Sequence, residues 1–177
     1  MDQVFAPWRI EWVEREKTEN GGCVFCSFDE DDTDRENRVV ARSENAYVLL
    51  NNYPYSPGHL MVIPGEHTGS LPDVSEAVLL EQALLQQRSV RALNRAFDPD
   101  GFNTGRNLGT GAGGSIGDHL HTHVVPRWEG DTNFMPVIGE TKVIVEALSE
   151  TYDRLHAAFL TQDGARQSDS GAVTLTL

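Results

Sequence analysis

Residues 117–128 read GDHLHTHVVPRW, and they place histidine at every second position: His119, His121 and His123. These are half of the six histidines in the chain. A period of two is the period of a β-strand, where residues two apart share a face. The three imidazoles are therefore expected on one side, roughly 7 Å apart along the strand. Leu120, Thr122 and Val124 are expected on the other side, towards a core. A segment of this kind demands a sheet with one buried face and one face that does chemistry.

Three chemistries suit such a row. Imidazole is a common metal ligand, so the row can belong to a metal cluster. Neutral imidazole can also attack phosphorus and form a covalent intermediate, with its neighbours on the surrounding oxygens. A solvated polar face is the third, and strict alternation argues against it. The preceding loop narrows the choice. Gly109, Gly111, Gly113 and Gly114 leave backbone N–H groups free to close on an anion, and Ser115 and Asn107 add a hydroxyl and an amide. A glycine-rich loop alone is a weak signal; leading directly into three histidines, it points to phosphate. Two metal-hydrolase patterns fail. H-x-H-x-D-H would need an acid where Val125 stands, and an H-x-H pair with a glutamate three or four residues on is not completed, because Glu129 comes too late.

The rest of the chain supplies a sheet around this segment. Residues 39–52 read as two short strands joined by a turn, residues 59–64 as a third strand ended by Pro64-Gly65, residues 101–108 as a fourth and residues 119–126 as a fifth. Residues 73–97 carry Leu79, Leu80, Ala83, Leu84, Val90, Leu93 and Phe97 near helical spacing, with Asp73 or Ser75 as the cap. A second helix is expected over residues 142–160, with His156 on its surface. Strands grouped between helices, rather than alternating with them, predict an α+β fold with a mainly antiparallel sheet of about five strands and two main helices. The chain divides into an arm (1–22) carrying Trp8, Arg9 and Trp12, one domain (23–160) and a loose polar tail (161–177).

Composition excludes several classes of function. With 177 residues the chain fits one domain, and no apolar run approaches the ~20 residues that cross a bilayer. No signal peptide is visible at the start, so the cytoplasm is the expected location and a membrane is not an expected partner. The net charge of -13 argues against nucleic acid as a partner. Only Lys17 and Lys142 are lysines, and the other twelve basic residues are arginines. An acidic surface almost free of lysine suits a halophilic protein working at high salt. Activity and solubility measured from low to multimolar KCl test this; full activity and a high melting point without salt would count against it. The only cysteines, Cys23 and Cys26, form a C-x-x-C pair, which in a cytosolic chain is a redox pair or half of a metal site.

Taken together, these motifs resemble the histidine-triad (HIT) family, whose signature is His-φ-His-φ-His-φ-φ with φ apolar. Here it reads His119-Leu120-His121-Thr122-His123-Val124-Val125, with Thr122 the one less apolar φ, and it continues into Pro126-Arg127. GHLMVIPGEH at residues 58–67 resembles the family's G-H-x-x-V-I-P-x-x-H segment, and GFNTGRN and GAGGS sit where the family carries its asparagine and its G-Q-S loop. The resemblance covers about residues 20–160. Within the family, residues 49–64 and 118–137 look most like the branch of diadenosine tetraphosphate phosphorylases and related bacterial and archaeal proteins.

The resemblance implies a HIT-like fold, a homodimer, and nucleotidyl transfer or hydrolysis at an α-phosphate. Carried over residue by residue, it makes His121 the nucleophile and puts His123 on phosphate oxygens and the leaving group. It puts Asn107, Gly114 and Ser115 around the phosphate, with Gly114 standing where the family's glutamine usually is. Asn51 falls where many members place an aspartate on the ribose. Many members also hold a structural zinc, and its four ligands would be Cys23, Cys26, His67 and His119. Two thiolates and two imidazoles suit a closed tetrahedral site. No catalytic metal is implied, although the substrate can arrive with Mg²⁺. A diadenosine polyphosphate is the implied substrate type. A nucleoside phosphoramidate, or binding without turnover, are the alternatives. Trp128 is left between stacking on a base and packing on a dimer partner, Asp118 between tuning His119 and turning the loop, and His59 reads as a structural strand-start residue.

Overall fold

The computed structural model describes residues 22–28, 33–113, 116–131 and 146–177. The arm residues 1–21, Gly114, Ser115 and residues 142–145 lie outside that set, so the expectations placed on them are not addressed by it. In chain order the elements are α1 (Val24–Ser27), α2 (Asp34–Asn37), β1 (Val39–Arg42), β2 (Ala46–Leu50), β3 (Leu60–Pro64), α3 (Glu76–Phe97), β4 (Gly101–Gly105), β5 (Thr122–Arg127), α4 (Leu148–Leu160), β6 (Ala165–Gln167) and β7 (Val173–Leu175). Short 3₁₀ turns occupy Leu71–Asp73 and Thr110–Ala112. The seven strands form one sheet in the order β4-β5-β3-β2-β1-β7-β6. All pairings are antiparallel except β1 with β7. The fold class is α+β, as expected.

Strand alternation divides the core. One face of the sheet sends Val48, Leu50, Leu60, Val62, Val124 and Val173 against Leu85, Ala92 and Leu93 of α3 and Tyr152, Leu155 and Phe159 of α4. The other face carries a smaller cluster, in which Tyr47, Leu49, Met61 and Ile63 pack with Phe25 of α1. This second face is where the histidines lie. Helix α3 starts at Ser75, whose side chain accepts from the Val78 N–H, so Asp73 belongs to the preceding turn. Its buried stripe is Gln82, Leu85, Ser89, Ala92 and Leu93, whereas Leu80 is 62% exposed. The two polar residues in that stripe hid its phase from a count of apolar positions.

The tail is part of the sheet. Val173 and Leu175 are buried and alternate with exposed Thr174, the pattern of a half-buried strand, although the surrounding composition is small and polar. Gly164, at φ +77°, makes the turn out of α4; a Cβ there would meet the Thr176 carbonyl oxygen at 2.6 Å. The Tyr152 hydroxyl donates to the Val39 and Gly171 carbonyls at 3.1 and 2.9 Å, tying α4 to both β1 and the β6–β7 turn. Buried Asp34 accepts from Arg42 and from Ser170, which fastens α2 to the same turn.

His156, expected on the surface, is half-buried and stacks on Tyr152 at 6.0 Å between ring centroids. Its Nε2 is buried and has no hydrogen-bond partner among the described residues. Burial, then the Arg35 charge, push its pKa below the usual 6.5, against smaller opposing effects of Asp153 and a backbone hydrogen bond at Gly171. The folded state therefore binds fewer protons than the unfolded chain below about pH 6.5, and stability is lost as pH falls through that range. His119, also shifted downwards, adds to the loss in the same direction. We expect melting temperature to drop between pH 7 and pH 5, and to drop less in a His156→Phe variant, which keeps the ring and removes the titration. An unchanged slope in the variant would rule His156 out as a source.

Candidate active site

The histidine segment is extended but enters the sheet later than its alternation predicts. The paired strand β5 begins at Thr122, so His119 and His121 lie on the lead-in and only His123 sits in the ladder, opposite Met61 of β3. The lead-in is anchored by the Leu120 N–H donating to the Thr68 carbonyl at 2.8 Å. The three rings consequently diverge in role. His119 turns towards the cysteines, while His121 and His123 face one cleft, their ring centroids 5.0 Å apart.

That cleft, about 640 Å³ of open space, is walled by Val24, Phe25 and Phe28 from α1, by Leu49 and Met61 from the sheet, and by Tyr53 and Tyr55. Its polar groups include Asn51, Asn107, His121 and His123, with Gly113 and Ile116 on the loop side. Four of the predicted substrate-facing residues thus converge. The mix of apolar walls with a few polar groups is that of a small-molecule site. Asn51 is buried and its Oδ1 accepts from the Tyr53 N–H at 2.8 Å, leaving its amide N–H₂ group, 3.5 Å from the Met61 sulfur, as the available donor.

Hydrogen bonds assign the histidine tautomers. His121 Nδ1 lies 3.0 Å from the carbonyl oxygen of His119, an acceptor only, so Nδ1 carries the proton and Nε2 holds the lone pair. His121 is buried, and Phe25 lies 5.2 Å from its ring. His59, read as structural, is fully buried and proves to be His123's partner. Its Nδ1 accepts from the Tyr55 N–H at 3.1 Å, so its proton is on Nε2, which donates to His123 Nδ1 at 2.9 Å. His123 then keeps its own proton on Nε2. In their neutral forms His121 would present an Nε2 lone pair and His123, beside it, an N–H donor. The signal for His59 was its position: in the β3–β5 register it shares a face with Met61 and His123. Replacing it with Phe removes the donor that fixes the His123 tautomer. Turnover should fall on the order of 10²-fold through misorientation, with ring-nitrogen chemical shifts showing mixed His123 tautomers. A single tautomer and unchanged turnover would make His59 structural after all.

The second cluster joins Cys23 and Cys26, which flank α1, to His67 and His119; their ligand atoms all lie within 4.8 Å of one another. Cys23 Sγ is 3.3 Å and Cys26 Sγ 3.6 Å from His119 Nδ1, and Cys26 Sγ is 3.2 Å from His67 Nδ1. A tetrahedral zinc with ordinary Zn–S and Zn–N bonds places sulfur and nitrogen ligands about 3.5 Å apart. The four residues fit that geometry. His119 Nε2 donates to the Pro64 carbonyl at 2.8 Å, which leaves Nδ1 as a bare lone pair aimed at the sulfurs, the usual outer support of a metal-binding histidine. Burial, chiefly, holds the His119 pKa below 6.5 and keeps the ring neutral, as a ligand must be.

Residues 32–130 match the HIT domain family. The chain belongs to the HIT family. Among HIT proteins it is 48% identical over 119 residues to a Mycobacterium tuberculosis protein named AP-4-A phosphorylase, covering 67% of this chain. The chain spans 61% of the length of that relative. A zinc-bound histidine triad protein from Mycobacterium smegmatis is 30% identical with a TM-score of 0.65, covering 79% of this chain and 94% of its own. A hypothetical histidine triad nucleotide-binding protein from Sulfolobus tokodaii is 32% identical with a TM-score of 0.60, covering 77% of this chain and 89% of its own. HIT membership accounts for the fold. No helix among the described residues is long and apolar enough to cross a membrane.

Proposed function

We propose that this chain transfers a nucleotidyl group from a dinucleoside polyphosphate, such as diadenosine tetraphosphate, through a covalent intermediate on His121. The observation that carries the reading is the His119 carbonyl bond to His121 Nδ1, which leaves the Nε2 lone pair in the cleft beside the His123 donor. His121 Nε2 forms a bond to the α-phosphorus as the P–O bond to the remaining phosphates breaks. The leaving oligophosphate departs as an anion and needs no proton. His123 and Asn107 donate to the oxygens where charge develops, together with Ser115 and the loop amides around Gly114. An oxygen of inorganic phosphate or of water then attacks the nucleotidyl-histidine and returns the imidazole. Asn51 faces the ribose. The relative named AP-4-A phosphorylase supports phosphate as the acceptor.

Incubation with diadenosine tetraphosphate, with and without phosphate, decides the acceptor. ADP plus ATP means phosphorolysis, and AMP plus ATP means hydrolysis. Faster turnover of a nucleoside phosphoramidate would move the substrate class. Nucleotide binding with no turnover on any of these would make the site a sensor. The cysteine–histidine cluster holds a structural zinc that takes no part in bond making; its fit to tetrahedral sulfur and nitrogen geometry and the zinc-bound relative support this. The chain works as a homodimer, a reading supported by exposed Leu80 and Leu108 and by β4 at the sheet edge; a monomer by light scattering would remove it.

A further inference from the structure

Thr122, the one φ position that departs from the apolar pattern, has a partner behind the sheet. Arg106 Nε–H donates to Thr122 Oγ1 at 2.5 Å, and Arg106 Nη2 donates to Gln82 Oε1 of α3 at 3.0 Å. Gln82 and Thr122 are buried, and Arg106 is partly buried. Burial pushes the guanidinium's pKa below its usual value, yet the group stays charged.

The location of this bond gives it a consequence. The β4–β5 ladder pairs Gly101 with Arg127 and runs to Gly105 with His123, where it ends. Continued by two residues, the same register sets Arg106 opposite Thr122 and Asn107 opposite His121. Alternation sends Arg106 and Thr122 to the helix side, and Asn107 and His121 to the cleft, which both line. One side-chain bond therefore continues the strand pairing past the point where backbone pairing stops. It does so at the level where the amide of Asn107 must face the nucleophile. The strand it extends is an edge strand, exposed over Asn103, Thr104 and Gly105, and leads into a loop with Gly109 and Gly113 at positive φ.

We infer that Arg106 is a positioning residue: bridging Thr122 and Gln82 behind the sheet, it holds Asn107 across from His121. The inference rests on the proposed role of Asn107 at the phosphate. Thr122→Val removes the acceptor while keeping the shape, and Arg106→Met removes the donors. Both variants should show faster amide exchange confined to residues 106–113. In both, kcat should fall about tenfold or more with KM changed less than about threefold, the pattern of lost orientation. Arg106→Lys keeps one donor and should recover part of kcat. A purely structural role would lower the melting temperature without that split or that recovery. Unchanged exchange over 106–113 in Thr122→Val, or unchanged kcat with faster exchange, would overturn the inference. If the wild-type chain turns over no nucleotidyl substrate, the exchange data still decide whether the tie exists, and the failure falls on the functional reading.

Discussion

His121→Ala should abolish nucleotidyl transfer while leaving the fold in place. The loss should be at least about 10⁴-fold in kcat, the scale seen when the nucleophile of a covalent mechanism is removed. Binding should survive, because Asn51, Asn107, His123 and the apolar walls remain. The expected pattern is therefore a large fall in kcat with KM little changed. His121 is buried, so a cavity is created, but it opens onto the cleft and water can fill it. Wild-type protein mixed with substrate and quenched early should carry a nucleotidyl mass adduct on the peptide containing His121, and the variant should carry none. Retention of more than about one per cent of turnover in the variant would place the chemistry elsewhere. His123→Ala should be milder and should keep the adduct, since that residue is assigned to stabilise charge rather than to bond to phosphorus.

How much of this was legible in the sequence depends on what kind of signal each residue leaves. The strand periodicity of residues 119–125 was visible, and so was the antiparallel sheet that the short hydrophobic runs implied. The α3 stripe was misphased because Gln82 and Ser89 occupy buried positions that an apolar count skips. The two C-terminal strands were missed because their alternating Val173, Leu175 and threonines sit in a small-residue context that reads as a loose end. The functional residues divide along the same line. His121 and His123 announced themselves by spacing. Cys23 and Cys26 lie far in sequence from His67 and His119, and only family resemblance joined them. His59 and Arg106 gave no local signal at all. Each meets its partner across paired strands, His59 bonding to His123 and Arg106 to Thr122, and such neighbours emerge only when strands are paired.

Removal of the metal should show how the two clusters are joined. Purified without a nickel column, the protein should contain about one zinc per chain by the four-ligand stoichiometry of a structural site. If zinc is present at a thousandfold over its dissociation constant, it contributes about 4 kcal/mol. Its removal by chelation should then lower the melting temperature by roughly 8–16 °C for a domain of this size. The effect has a local origin. Helix α1 is four residues long and cannot persist by itself; Phe25 packing on the sheet, the Tyr47 hydroxyl donating to the Phe25 carbonyl at 2.7 Å, and whatever holds Cys23 and Cys26 together keep it in place. Between them Phe25 packs on the rings of both His119 and His121 and forms part of the cleft wall. Losing the metal should loosen α1, open that wall and loosen His119, whose carbonyl holds the His121 ring. Chelation should therefore raise KM and lower kcat together, and added zinc should restore both. Because His119 is held neutral by burial, zinc should persist to a lower pH than free imidazole would allow. Cys26→Ser, which removes the thiolate that lies within reach of both histidines, should reproduce the loss and resist rescue by zinc. Protein that is zinc-free as purified, with readily titrated thiols and unaltered melting temperature and turnover, would refute the metal centre and leave the C-x-x-C pair as free thiols.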